Sequence, residues 1–316
     1  MAFINALPGA VAEGLIWGLM GIGVYLSYKL LNFADLTVDG SIVTGACVCA
    51  VMLAGGFPVW MSVIAAFFAG AVAGLVTGLL HTAFGVPEIL AGILTQLMLY
   101  SVNLAILGGK SLVAINPRAN NLLVHMSNNP RTIIVMLIFV AATIIGLWLF
   151  FYTEFGLTIK STGDNPNMSR AQGVNVKLTQ VLGLALSNGI VALSGAMLAQ
   201  YKGSANINDG RGAIVIGLAA IFIGLSVSLK IKPNFVVSMI GVVGGGIVYY
   251  IVYNFVILLG LKTDYLKMLS AIIVAVFLAV PYLKKEHFTR RRPLPANGVS
   301  NRTGSVNNRL GGGENA

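Results

Sequence analysis

Between two long apolar runs, the segment Leu30–Ser41 gathers an amide, two carboxylates and two hydroxyls: Asn32, Asp35, Thr37, Asp39 and Ser41. Ionisable groups at membrane depth are costly, so carboxylates in such a setting mark a pathway for a solute or ion. A break at Asp39-Gly40 would aim the N-terminus of the following helix, with its free N–H groups and positive dipole end, at this region. Two readings stand. The segment is a gate or binding surface on a translocation path, or Asp39 caps a short helix while Asp35 sits in solvent near Lys29. Glu88 and Gln96 complete the candidate path set of Asn32, Asp35, Asp39, Glu88 and Gln96. Glu88 follows Pro87 at the head of an apolar run, which is also an ordinary helix start. Gln96 and Asn103 are seven apart and share a helix face, so they line a path or pair between helices; Asn188 and Gln200 are similar. Asp209 and Arg211 form a candidate surface pair.

The second polar stretch, Phe155–Asn175, has a different chemistry: it is built to be a short helix outside the membrane. Asp164 or Asn165 can cap it through a side-chain oxygen, Pro166 falls at the first helical position, and Gly173 stops it. A helix of about two turns is not stable alone. Held between two membrane spans, it makes sense as a docking element for another protein.

No catalytic chemistry is legible. The chain has no metal-ligand pair on a helix, no P-loop and no nucleophile elbow, so neither a metal nor a cofactor is expected. Its three His, at 81, 125 and 287, form no cluster. Cys47 and Cys49 are two apart in an apolar run and point apart on a helix, against a disulfide or metal role.

These residues must be positioned by membrane helices. The 316 residues are 57% hydrophobic and 9% charged, whereas a soluble domain is about 25% charged. Nine apolar runs approach the length of roughly 20 residues needed to span a bilayer. They are Ala10–Leu26, Gly40–Gly55, Pro58–Leu80, Pro87–Leu107, Thr132–Tyr152, Leu178–Ala199, Ala213–Ser228, Phe235–Leu259 and Tyr265–Val280. The expected class is an all-α polytopic membrane protein of about 8–10 transmembrane helices, with residues 1–283 as the membrane domain. No cleavable signal peptide is expected, because Met1–Pro8 lacks a basic leader.

The net charge of +10 falls in loops and the C-terminal tail, which fits membrane orientation and not nucleic acid. Lys284, Lys285 and Arg290–Arg292 form the densest basic cluster and mark a cytoplasmic end. Counting back through the spans puts Lys230, Lys232 and the polar stretch with Lys160, Arg170 and Lys177 on the same side. The loops Lys202–Arg211 and Gly108–Arg131 then fall outside. Residues 284–316 are expected to be a basic, disordered cytoplasmic tail.

Asp39-Gly40, Pro58-Val-Trp60 and Glu88-Ile-Leu90 open three successive runs; Asp209-Gly210, Pro233-Asn-Phe235 and Asp264-Tyr-Leu266 open three more at a nearly constant offset. An odd number of spans separates the sets, so the copies would be inverted, with short interrupted helices, as in many transporters. Chance matching of Gly, Pro and acids at helix starts is the alternative. Small residues four apart occur at Gly14/Gly18, at Ala66/Gly70/Gly74/Gly78 and at Gly241/Gly245. They allow close helix approach, as static packing or as a sliding or dimerising face.

The stretch Leu31–Ala46, LNFADLTVDGSIVTGA, resembles the signature after the first span of bacterial ATP-binding-cassette (ABC) importer permeases of the branched-chain amino acid and ribose type. Its core looks closest to a subgroup of tryptophan/tyrosine or uncharacterised transport permeases. Lys160–Gly173, KSTGDNPNMSRAQG, resembles the cytoplasmic loop of that family, with Lys160-Ser161 where relatives often carry Arg-Ala. The resemblance covers roughly Leu7 to Tyr282. It implies a non-catalytic permease in the bacterial inner membrane, paired with a second permease copy. It further implies a cytoplasmic ATPase dimer that supplies energy and an extracytoplasmic solute-binding protein. Lys160, Gly163, Asp164, Asn165, Pro166, Arg170, Ala171 and Gly173 would then form the coupling helix. The implied cargo is a small polar solute: an aromatic amino acid first, then a branched-chain amino acid, sugar or nucleoside. An ion-coupled secondary transporter or a passive channel are the rival readings.

Overall fold

The computed structural model describes residues 2–116, 122–126, 129–228 and 234–258, with isolated positions 268, 271, 272 and 275. The described chain is helical throughout, apart from one small two-stranded ribbon. Helix α1 (Ala2–Tyr25) runs on through a π-helical turn, Leu26–Leu30. Then come α2 (Val38–Ala54), α3 (Val59–Thr82) and α4 (Glu88–Ile106). After strand β1 (Leu112–Ala114) follow α5 (Asn129–Phe151), α6 (Glu154–Asp164), α7 (Pro166–Ala171) and α8 (Val176–Lys202). Strand β2 (Ser204–Asn206), α9 (Ala213–Ser228) and α10 (Phe235–Leu258) complete it.

Six helices among the described residues are long and apolar enough to cross a membrane, and α2 and α9 are shorter apolar helices. The protein is an all-α, multi-pass membrane protein. Eight of the nine expected runs coincide with α1–α5 and α8–α10. The ninth, Tyr265–Val280, lies outside the described residues apart from isolated positions, as do Arg118, Lys230, Lys232, Pro233, Asp264 and the basic tail.

The core is the pair α1 and α8, buried nearly all round. They run antiparallel: Ser187 Oγ donates to the Gly23 carbonyl at 2.8 Å and Ser194 Oγ to the Ile16 carbonyl at 2.6 Å. Each then packs closely on one further helix through small residues. On α8, Gly70, Gly74 and Gly78 of α3 seat against Asn188, Leu184 and Val181. On α1, Gly14 and Gly18 seat against Ile247 and Val243 of α10. With no hydrophobic drive between helices in lipid, such backbone approach supplies the packing. The outer faces of α3, α4 and α5 are apolar and exposed, including Ile64, Phe68, Leu97, Ile138 and Leu149, as lipid contact requires.

The described part of the expected repeat has a matching set of helix contacts; its third pair includes Asp264, which lies outside the described residues. Helix α1 corresponds to α8, α2 to α9 and α3 to α10; α1 packs on α10 as α8 packs on α3. Because α1 and α8 run in opposite directions, the two copies are inverted. Their matching Asp-Gly corners meet, with Gly210 lying on the Asp39 carbonyl between Val43 and Ile42. β1 and β2 pair antiparallel, Leu112 opposite Asn206. The loops after α4 and α8 therefore lie at the same end of the bundle, one α8 length of about 40 Å from α6 and α7.

A polar network, a cavity and an exposed helical hairpin

Asp35 is buried and not in solvent beside Lys29. Its Oδ1 accepts from the Thr37 backbone N–H at 2.9 Å and its Oδ2 from Asn188 Nδ2 at 2.6 Å. Asn188 Oδ1 accepts from Ser41 Oγ at 2.6 Å, and the Thr37 and Thr77 hydroxyls share a 2.7 Å bond. The segment 31–37 is thereby tied to α2, α3 and α8. Buried polar groups are tolerated only when partnered this way.

Asp39 does not cap its own helix. Thr37 stands at the N-cap of α2 without a side-chain bond. The Asp39 carboxylate instead reaches α9, accepting from Gly212 N–H at 2.9 Å and Ile214 N–H at 2.8 Å. An acid at a helix N-terminus satisfies orphan donors and the dipole together; here the acid comes from the other half of the repeat.

Beside this cap lies a cavity of about 320 Å³ lined by Asp39, Gln96, Tyr100, Asn103, Ile207 and Arg211, among others. Helix α4 forms one wall and the α8–α9 loop another. Asn103 Nδ2 donates to the Gly40 carbonyl at 3.4 Å, while its buried Oδ1 has no partner among the described residues. Arg211 does not pair with Asp209; Lys202, the last residue of α8, pairs with that carboxylate at 3.3 Å. The expected pair is corrected to Lys202–Asp209, and Arg211 is left on the cavity. Gln200 does not face it: its Oε1 accepts from the Leu123 N–H and its Nε2 lies 3.7 Å from Cys49 Sγ.

Of the path candidates, the structure brings Asp39 and Gln96 to one cavity, while Asp35 is buried outside its lining, bonded to Thr37 and Asn188. Glu88 is the first residue of α4, half-buried, with Pro87 at the N-cap and not at the first helical position. Asn32 is apart from them, exposed and in the left-handed region at φ 53°. It turns the chain out of the π-helical segment, a conformation Asn tolerates better than most residues.

At the opposite end of α8, the polar stretch forms two helices where one was expected. Thr153 caps α6 through Oγ1, which accepts from Gly156 N–H at 3.3 Å. Asn165 breaks the chain at φ −153° and caps α7, its Oδ1 accepting from Met168 N–H at 3.0 Å. Pro166 is the first residue of α7, and Gly173 follows it at φ 83°. The hairpin is held by a 3.3 Å bond from Ser169 Oγ to Ser161 Oγ, and α6 is pinned to α8 by a 3.0 Å bond between the Thr162 and Thr179 hydroxyls. Gly163 seats directly on the Leu30 carbonyl, and a Cβ on Gly183 would meet the Leu31 side chain at 2.7 Å. Lys160, Asp164, Asn165, Pro166, Arg170, Ala171 and Gly173 face outward, with Gly163 half-buried beneath them. Met168, 60% exposed at the middle of α7, is an apolar knob on this polar surface that the sequence pattern does not single out.

Among the described residues no group of three His, Cys, Asp or Glu converges as a metal site, and Cys47 and Cys49 are buried free thiols.

Residues 9–280 match the family model for the branched-chain amino acid transport system permease component. A tyrosine transport system permease protein of Clostridioides difficile is 36% identical over 277 residues, 87% of this chain and 91% of the relative. An uncharacterised protein of Rickettsia prowazekii is 30% identical over 293 residues, 90% of this chain and 99% of the relative. An autoinducer 2 import system permease protein of Yersinia pestis is 30% identical over 210 residues, 65% of this chain and 58% of the relative. No solved structure matches the chain. A helical bundle of inverted halves, an exposed hairpin at one end and a family match over nearly the whole membrane region have one reading: this chain is a permease component of a small-solute transport system and belongs to the branched-chain amino acid transport permease family.

Proposed function

We propose that the protein is the membrane subunit of an ABC importer for an aromatic amino acid, energised by partner ATPases that grip α7. The observation that carries this reading is the seat of the α6–α7 hairpin. It is exposed on one side and keyed through Gly163 to the turn at Leu30 that leads into Asp35. Lys160, Asp164, Asn165, Pro166, Arg170, Ala171 and Gly173 form the ATPase-docking surface, with Met168 as its apolar anchor.

ATP-driven closure of the ATPases displaces the hairpin as a rigid body. Gly163 carries the shift to Leu30 and Leu31. Asp35 passes it to Asn188 on α8, and Asp39 to the N-terminus of α9. Asp39 and Gln96 lie where the solute passes; Asp35 acts behind them, Glu88 at the entrance to α4, and Asn32 as the hinge. Alternating access follows at the interface with a second permease copy. The tyrosine permease relative favours an aromatic amino acid, ahead of a branched-chain amino acid, sugar or nucleoside. A solute-binding protein delivers it from outside. In this reading α7 and the C-terminus are cytoplasmic in a bacterial inner membrane, residues 1–283 are the permease domain and 284–316 a basic tail.

The test is ATP-dependent accumulation of tritiated L-tyrosine in liposomes holding the permease with the ATPase and binding protein from adjacent reading frames. Deleting Asn165–Gln172 should abolish accumulation while the permease still purifies folded. Normal transport by the deletion variant would refute the coupling role. The buried Asp35 also suits an ion-coupled secondary transporter; uptake by the permease alone under an ion gradient would favour that mechanism.

A further inference from the structure

We infer that the cavity between α4 and the α8–α9 loop is a subsite for the zwitterionic head of an α-amino acid, with Arg211 holding the carboxylate and Asp39 and Asn103 the ammonium. The assignment rests on the amino acid reading above and names the groups that would recognise that cargo.

Four observations converge on it. First, Arg211 reaches the cavity and forms no ion pair among the described residues, Asp209 being paired with Lys202 instead. A guanidinium is the side chain best matched to a carboxylate, through two parallel N–H donors. Second, each Asp39 oxygen accepts one backbone N–H from the head of α9, which leaves lone pairs for an ammonium. Third, Asn103 Oδ1 is buried and unpartnered among the described residues. An amide oxygen in that position loses free energy until a donor arrives, and an ammonium has three donors. Fourth, apart from Gln96 the remaining side chains of the wall are apolar or aromatic: Ile207 and Val43, with Leu97 and Tyr100 of α4. The volume of about 320 Å³ lies at the small end of the range for small-molecule sites. Leu97 and Tyr100 are 64% and 45% exposed, so the side-chain end is open in one copy and would be closed by whatever covers α4.

Asp39 joins the two halves of the repeat at this point. A solute ammonium bound there would compete with, or reinforce, the cap on α9, so occupancy and the α2–α9 contact would be coupled.

The test is equilibrium binding of tritiated L-tyrosine to the permease–ATPase complex in nanodiscs, with the binding protein omitted. Tyramine, which lacks the carboxylate, and 3-(4-hydroxyphenyl)propionate, which lacks the ammonium, serve as competitors. The wild type should bind L-tyrosine saturably and prefer it over either analogue by roughly tenfold or more, the worth of one charge-assisted bond. Arg211→Gln should erase the preference over tyramine, and Asn103→Leu should reduce the preference over the propionate. Because the readout is a ratio, a lower yield of folded variant does not mimic it. No saturable binding by the wild type, or an unchanged preference in Arg211→Gln, overturns the subsite. The importer reading is tested separately by ATP-driven uptake in the complete complex. Uptake of an amino acid without these preferences rejects the subsite alone; the preferences without ATP-driven uptake reject the importer mechanism alone.

Discussion

Asn188 Nδ2 donates to the Asp35 carboxylate at 2.6 Å while Asn188 Oδ1 accepts from Ser41 Oγ at the same distance. One amide on α8 thus holds both the segment that separates the π-helical turn from α2, at Asp35, and the first turn of α2, at Ser41. Asp39, in the first turn of α2 and only four residues beyond Asp35, caps α9. The two inverted halves of the bundle are joined by a short run of polar contacts, each satisfied on both sides.

Asp35→Asn should lower the apparent melting temperature of the purified permease, because two amide groups would then compete where a donor met an acceptor. Leaving one buried group unsatisfied costs about 1–3 kcal/mol. Adding Asn188→Asp restores a donor–acceptor pair, since the amide introduced at position 35 can donate to the new carboxylate on α8 and Ser41 Oγ still has an acceptor. Recovery of at least half the lost stability in the double variant, read by fluorescence-detected thermal unfolding, is the expected result. Strictly additive losses would show that the pair is not coupled.

Gly163 and Gly173 should fail differently. A Cβ at Gly163 would collide with the Leu30 carbonyl, whereas one at Gly173 meets nothing within 4 Å and suffers only from φ 83°. Gly163→Ala should therefore loosen the hairpin from the bundle, exposing the hydroxyls of Thr162 and Thr179 to exchange with solvent water. Gly173→Asn should be mild, because Asn visits the left-handed region, while Gly173→Val should cost about 1–2 kcal/mol. Limited proteolysis between α6 and α8 checks the order: Gly163→Ala and Gly173→Val cleaved faster than wild type, Gly173→Asn close to it.

Asp39→Ala should uncap α9 and leave α2 intact, because the Asp39 bonds go to Gly212 and Ile214. Loss of an N-cap costs about 0.5–2 kcal/mol. Hydrogen–deuterium exchange should rise by roughly tenfold at residues 212–216 for each 1.4 kcal/mol lost, with little change across residues 41–50. Faster exchange in α2 alone would place the cap on its own helix after all.

Local signals in the sequence carried the local features. The spans follow from apolar length, α7 from Asn165, Pro166 and Gly173, and the inverted repeat from paired Asp-Gly corners. Three features were hidden because their causes lie in tertiary contacts that no local pattern selects. The Asp39 cap bridges 173 and 175 residues, and no pattern near Asp39 distinguishes it from a cap on α2. Helix α6 contains Gly156 and Gly163, poor helix formers. Their reason is the backbone of Phe150 and Leu30 pressed against them. Arg211 lies on the cavity while Asp209 pairs with Lys202, a choice of partner that spacing alone does not decide. The Thr153 cap was the one local clue to α6, since a Thr followed at once by Glu154 opens a helix well.

The glycine stripes test the two close helix contacts that flank the α1–α8 core, α3 on α8 and α10 on α1. A Cβ on Gly74 would press on Leu184 and come within 2.8 Å of the Ala185 Cα; one on Gly14 would come within 2.6 Å of the Ile247 Cα. Both obstacles are backbone, which cannot rotate away, so α3 must retreat from α8 and α10 from α1. Gly74→Ala and Gly14→Ala should each cost about 1–3 kcal/mol, in the range for overpacked cores. The two contacts share no residue, so the losses should roughly add. Gly146 of α5 supplies the control. Nothing lies within 4 Å of its Cβ position, and Ala is the better helix former by about 1 kcal/mol. Gly146→Ala should melt at or above the wild-type temperature. If it destabilised the permease as much as Gly74→Ala, the penalty would reflect glycine loss in general and not the close approach that holds each half to the α1–α8 core.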